Sequence, residues 1–375
     1  MTMTDPCGLY LHIPFCKRKC LYCDFCSFAG RESDMHAYVS ALISEMRARP
    51  LSGRTVSTVY LGGGTPSLLP NAELARLLEG IHQHYTVDPV AEFTCEVNPC
   101  TADLEKFSLL RSLGVNRISM GVQSLSDRAL RALGRLHTAD DARAAVALLR
   151  RAGFENLSLD LMTGLPGETP EELADTVRGI LALAPEHISA YALTVEEATP
   201  LATSPLRNTI PDEDAAADAM EATADALEAA GYHRYEISNY ARKGYESRHN
   251  LAYWQGREYL GLGVAAYSYL DGVRFGKPRD LSGYLSGKAL PEVDCEVLSD
   301  ADREAECVML SLRLAAGIDR AAYRAAYGRD PATLFAAILS RYPDCFRVTP
   351  VAVALTPRGM AVSNALIAEC LLAIE

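Results

Sequence analysis

Between residue 8 and about residue 240, short apolar runs rich in Val, Ile and Leu alternate with segments whose apolar positions recur at the helical period. This is the pattern of successive βα units: strands buried on both faces read as continuous hydrophobic runs, and each intervening helix shows one apolar stripe. It predicts strands over Leu9–Ile13, Val56–Leu61, Glu92–Val97, Arg117–Gly121, Leu157–Leu161 and His187–Leu193. Helices are expected over Met35–Arg47, Ala72–His84, Ala102–Leu113, Ala139–Arg151 and Pro170–Leu183, several ending at or just before Gly or Pro. Right-handed crossovers between such units curl a parallel sheet toward a barrel. The expected fold class is α/β, a partial (β/α)6 barrel over residues 1–240.

Beyond that the pattern changes. Asp212–Ala230 reads as an acidic, Ala-rich helix, and Tyr232–Phe275 is dense in Tyr and Gly and holds the single tryptophan, Trp254. Residues 241–297 are expected to form a connector or a lid. From Leu298 the pattern is mostly helical, over Glu304–Leu314, Arg320–Tyr327 and Pro331–Arg341, then a strand pair in Phe346–Leu355 and a last helix from Thr356. That order, over 298–375, resembles a small winged-helix module, expected to serve in packing.

Composition narrows the class. With 375 residues, 49% hydrophobic and 22% charged, the chain has room for one large core and a smaller appendage. The best apolar stretches, Leu260–Leu270 and Leu366–Ile374, fall short of the roughly 18 residues a membrane span needs, leaving at most peripheral membrane contact. A formal charge of −12 without a basic stripe argues against a nucleic-acid partner. The 11 cysteines are an odd number, and Met-Thr-Met-Thr-Asp at the start has neither a charged nor an apolar leader region. A cytoplasmic protein with reduced thiols is expected.

Against that background Cys16, Cys20 and Cys23 stand out, because their C-x3-C-x2-C spacing supplies three thiolates from one short loop. A structural zinc takes four ligands, whereas a four-iron four-sulfur cluster on three thiolates keeps one iron open to a small molecule. Cys26 follows Cys23 by a further x2 gap, so a four-thiolate zinc site is the alternative.

The remaining candidates fall where strands end, the face on which such barrels build active sites. The second strand runs into Gly62-Gly63-Gly64-Thr65-Pro66, where missing side chains would let backbone amides approach a ligand; without a Lys it is not a P-loop. The third ends in Glu96-Val-Asn-Pro, the fourth in Met120-Gly-Val-Gln123, and the fifth carries Asp160. Such groups can hold an amine, a ribose diol and an adenine edge, and Arg135 can reach a carboxylate; each could equally cap a helix or pair on the surface.

Taken in order, Cys16, Cys20, Cys23, the Gly62–Pro66 run, Glu96, Gln123, Arg135 and Asp160 resemble the landmarks of the radical S-adenosylmethionine (SAM) superfamily. The branch is that of oxygen-independent coproporphyrinogen III oxidase and the related HemW haem chaperones, and the match covers nearly the whole chain. The resemblance implies a 4Fe-4S cluster on the three cysteines, with SAM on its open iron. It places Tyr10 and Tyr22 against the cofactor, Gly63, Gly64 and Thr65 at its methionine end, and Glu96, Gln123, Arg135 and Asp160 around the rest, across one or two cofactor positions.

Within this branch, the oxidase pattern has a fourth cysteine two residues after the third. Here that position is Phe25, and Cys26 comes one residue late. Only 15 residues precede Cys16, whereas the oxidases carry a longer covering segment. His249-Asn250-Leu-Ala-Tyr253-Trp254 matches the HNxxYW signature of the HemW group, which implies His249 as an axial haem ligand beside flat rings. The plain alternative is a hydrogen-bonded histidine beneath a Tyr-rich lid. The resemblance thus implies a chaperone that binds haem and passes it to apo-haemoproteins, respiratory-chain proteins among the candidates, with an electron donor for the cluster and a homodimer as further possibilities. Its rival is a coproporphyrinogen III oxidase.

Overall fold

The computed structural model describes residues 6–287 and 291–374; Met1–Asp5, read above as carrying no leader region, and three residues of the 241–297 segment lie outside them. Six parallel strands in chain order form the centre: β1 (Cys7–Ile13), β2 (Val56–Gly63), β3 (Val87–Val97), β4 (Arg117–Gln123), β5 (Leu157–Thr163) and β6 (His187–Ala192). The long helices between them are α1 (Met35–Ala48), α2 (Asn71–His84), α3 (Leu104–Ser112), α4 (Ala139–Arg151) and α5 (Pro170–Ala182). Every residue of β4 is buried, as a strand covered on both faces requires, whereas α4 buries only the stripe Ala139, Ala142, Ala145, Val146 and Leu149. Thr138 and Thr169 start α4 and α5 with reciprocal capping boxes through Asp141 and Glu172.

The six expected strands are present, and three run two residues further. Parallel pairing continues through Ile13 with Gly63, and through Met162 and Thr163 with Tyr191 and Ala192. The helix expected from Ala102 starts at Leu104, because the Asp103 carboxylate accepts from the Lys106 N–H and fixes the cap there.

After α6 (Glu213–Ala229) the chain adds to both sheet edges. Strands β7 (His233–Arg234) and β8 (Asn239–Ala241) lie beyond β6, while α7 (Arg248–Trp254) precedes β9 (Tyr259–Leu262), which pairs parallel with β1. Then β10 (Tyr267–Leu270), β11 (Val273–Gly276) and β12 (Val293–Val297) extend that edge antiparallel, giving twelve strands in open order. The Tyr- and Gly-rich stretch therefore contributes strands to both edges of the sheet. Its hairpin turns at Asp271-Gly272, both with positive φ (52° and 75°), the geometry an Asp-Gly pair favours.

The C-terminal part has its own apolar cluster around Val308, Leu312, Tyr323, Phe335, Val353 and Leu366. It contains α8 (Asp300–Ser311), β13 (Ile318–Asp319), α9 (Arg320–Tyr327), α10 (Pro331–Leu334), α11 (Ala336–Arg341), the hairpin β14 (Phe346–Val348) and β15 (Ala352–Leu355), then α12 (Pro357–Ala361) and α13 (Ser363–Leu372). The helix expected over Pro331–Arg341 is two, broken at the fully buried Phe335.

Candidate functional site

The cysteine loop follows β1 directly. Phe15–Cys16 pairs with Phe28–Ala29, and the Phe28 N–H donates to the Pro14 carbonyl at 2.7 Å, pinching the intervening residues into a loop. Cys16, Cys20 and Cys23 border a cavity of 330 Å³ together with Tyr22, Gly63, Gly64, Glu96, Gln123, Arg135 and Asp160. The end of the sheet that the βα pattern pointed to is thus where these side chains meet. Cys26 does not border it: it is buried on a second cavity, and its carbonyl accepts from His12 Nε2 at 2.7 Å.

The thiols suit a cluster better than one ion. Cys16, Cys20 and Cys23 border one cavity, while Cys26, the fourth thiolate a tetrahedral zinc would need, borders another. Burial pushes the Cys16 and Cys23 thiols up, so loading would release protons from them. Arg135 Nη1 donates to Cys20 Sγ at 3.6 Å, and Cys16 Sγ lies 3.7 Å from Thr65 Oγ1.

The carboxylates are poised differently from one another. Glu96 accepts from the Tyr60 hydroxyl at 2.8 Å and the Gly63 N–H at 3.0 Å, and burial raises its pKa. Asp160 has only the Ser119 hydroxyl at 3.4 Å; burial, then repulsion from Glu96, lifts it to about 7. Gln123 sits in the left-handed region (φ 70°) where the β4–β5 ladder slips, and its Oε1 accepts from the Tyr191 hydroxyl at 3.1 Å.

At two expected positions the polar groups already have partners. The glycine run does not present its amides to a ligand: the Gly63 N–H goes to Glu96, Gly64 N–H to the Ile13 carbonyl at 2.9 Å, and Thr65 N–H to the Phe15 carbonyl at 2.8 Å. Side chains are excluded there by packing, since a Cβ on Gly63 would stand 2.4 Å from the His12 ring. His249 is likewise not open. It is buried, with Nδ1 on Thr58 Oγ1 at 2.8 Å and Nε2 on the Tyr253 hydroxyl at 2.9 Å, and burial pushes its pKa down to about 3.

Tyr10 lies on a second, 690 Å³ chamber with Tyr253, Tyr259, Lys277 and Arg279; Phe25, Gly63 and Glu96 border both chambers. Asn98 was not anticipated. It donates to Thr65 Oγ1 at 2.7 Å and accepts from Arg135, tying two expected residues together. Its place two residues beyond Glu96 was the available signal.

A domain model of the radical SAM superfamily matches residues 10–180. Heme chaperone HemW of Mycobacterium tuberculosis is 36% identical over 97% of this chain and 94% of its own length. The Synechocystis protein of that name is 37% identical over 90% and 85%, and the Escherichia coli one 40% over 77% and 78%. The chain belongs to the HemW family of radical SAM proteins. Its fold is also that of Escherichia coli coproporphyrinogen III oxidase, a radical SAM enzyme, with TM-score 0.85 and 25% identity over 98% of this chain and 90% of the other. Among the described residues no helix is long and apolar enough to cross a membrane.

Proposed function

We propose that this protein is a haem chaperone, holding a 4Fe-4S cluster on Cys16, Cys20 and Cys23 and SAM beside it, and passing haem to apo-haemoproteins. The observation that carries this reading is kinship with proteins named heme chaperones, at 33–40% identity over most of the chain. When bound, the cluster supplies an iron open to the amino acid end of SAM. Arg135 then neutralises a carboxylate, Glu96 and Asp160 accept from an amine or ribose hydroxyls, and Tyr22 and Gln123 bound the remaining space.

The 690 Å³ chamber suits the haem, with Tyr10, Tyr253, Tyr259 and the 62% exposed Phe25 as flat walls and Arg279 for a propionate. His249 lies behind Tyr253, outside the chamber's wall, and would offer Nε2 to the haem iron only once the Tyr253 hydroxyl moved aside and released it. The protein works in the cytoplasm, where thiols stay reduced.

A coproporphyrinogen oxidase reading has the similar solved fold in its favour. Against it stands Phe25 in place of the fourth cysteine. The deciding experiment is anaerobic purification, assay of iron and sulfide, haem titration, and incubation with coproporphyrinogen III and SAM. A Soret band without carbon dioxide release is expected; SAM-dependent carbon dioxide release overturns the chaperone reading in favour of the oxidase.

A further inference from the structure

Arg117 opens β4 and is 2% exposed, yet its Nε has no hydrogen-bond partner. Among the described residues no carboxylate pairs with its guanidinium. It borders a 220 Å³ cavity with Ser119, His187, Ser189, His249 and Tyr253, none of which carries a negative charge. A buried guanidinium with an open donor and no carboxylate in contact is costly. An unsatisfied buried donor beside a cavity calls for an occupant.

The neighbouring charges do not fill that need. Glu96 and Asp160 both feel the Arg117 charge, but Glu96 is hydrogen-bonded to Tyr60 and Gly63 and Asp160 to Ser119, and among the described residues neither makes an ion pair with Arg117. The two imidazoles add no counter-charge: His187 is held by Ser158 at 2.7 Å and the Tyr235 hydroxyl at 2.8 Å, and His249 by Thr58 and Tyr253. Burial first and the Arg117 charge second keep both rings neutral. The cavity wall is therefore a fixed cation among hydroxyls and neutral rings, which is the chemistry of an oxyanion receptor.

We propose that this cavity binds a small oxyanion, a short carboxylate or inorganic phosphate, on the Arg117 guanidinium. A water occupies about 30 Å³ of liquid, so 220 Å³ takes such an ion with a few waters and excludes a nucleotide or a tetrapyrrole. The cavity shares Tyr10, His249 and Tyr253 with the haem reading, so the test is made on haem-free protein, where its failure leaves that reading untouched.

The test is thermal unfolding of the anaerobically purified protein in chloride at constant ionic strength, with sodium acetate or sodium phosphate replacing part of the chloride. A saturable rise in Tm in one of the two salts is expected, and which salt acts identifies the ligand class. Arg117→Met should weaken the midpoint at least tenfold, whereas Arg143→Gln, on the exposed face of α4, should leave it unchanged. Should Arg117→Met fail to fold, Arg117→Lys and a crystal soaked in bromoacetate replace it, with a shifted midpoint in Lys and an anomalous bromine peak beside Arg117 expected. No saturable effect in either salt, an effect abolished by Arg143→Gln instead, or an unshifted midpoint in the Arg117 variant overturns the proposal; so does a soaked cavity holding only water.

Discussion

At the cysteine end of the barrel, Cys20 lies 3.6 Å from Arg135 and Cys16 3.7 Å from Thr65, both long contacts, and both thiols face a cavity. At the opposite end every ring nitrogen of His187 and His249 is held at 2.7 to 2.9 Å. Below these, the Glu92 carboxylate caps α7 by accepting from the Arg248 and His249 N–H groups, both at 2.9 Å. The difference separates groups that wait for a ligand from groups already engaged in holding the fold. A ligand at the cysteine end forms new bonds at little structural cost. One at His249 must first break a bond, so its affinity carries that cost.

The sharpest way to break this comparison is to empty the open end. Cys16→Ala, Cys20→Ala or Cys23→Ala should each abolish iron and sulfide binding after anaerobic reconstitution. Cys26→Ala should retain both, because its side chain borders the other chamber. Equal loss in Cys26→Ala would mean that four thiolates act together and that the open iron has no basis.

Next in size are the polar groups beside the cysteines. Glu96→Ala or Asp160→Ala should weaken SAM binding by roughly ten- to a hundredfold, since a charge-assisted hydrogen bond contributes about 1.5–3 kcal/mol. Iron content should stay near wild type. Calorimetry showing unchanged affinity in both variants would remove these carboxylates from the site.

Much of this arrangement was legible in the residues. The six strands stood out because both faces of a parallel strand are buried, so each reads as an apolar run, and the barrel rule then placed Glu96, Gln123 and Asp160 at one end. Partnership was not legible. His249 meets Thr58 across 191 positions, and no local pattern announces such a bond. The glycine run invited a ligand-cradle reading, while its amides go to Glu96, Ile13 and Phe15, set by tertiary pairing. Arg117 read as an ordinary strand start, and the left-handed backbone of Gln123 has no marker in a non-glycine residue.

At the engaged end, Tyr253→Phe keeps the ring but removes the hydroxyl from His249 Nε2. If His249 ligates haem, releasing that nitrogen should raise haem affinity about two- to tenfold, the equivalent of one net hydrogen bond. His249→Ala should shift or remove the Soret band while leaving iron and sulfide content intact. A haem spectrum indifferent to both changes would leave the chamber without this ligand.

The last effect expected is a pH-dependent one at Asp160, and it tests whether even the open end carries some cost. Its carboxyl is lifted from an ordinary 3.8 to about 7 by burial and by Glu96. Between those values the folded chain binds a proton that the unfolded chain has released, so stability falls as pH rises through the window. Below about pH 4 both states are protonated and the group contributes nothing; above about pH 7 the loss is complete, and at 1.36 kcal/mol per unit it is at most about 4 kcal/mol. Asp160→Asn carries no charge and escapes this loss. In SAM-free protein the variant should therefore gain on wild type as pH rises from 4 to 8, by a few degrees in Tm, and the gain should vanish toward pH 4. Parallel curves across that range would show that Asp160 is solvated, and that the carboxylate end of the barrel is open to water as well as to ligand.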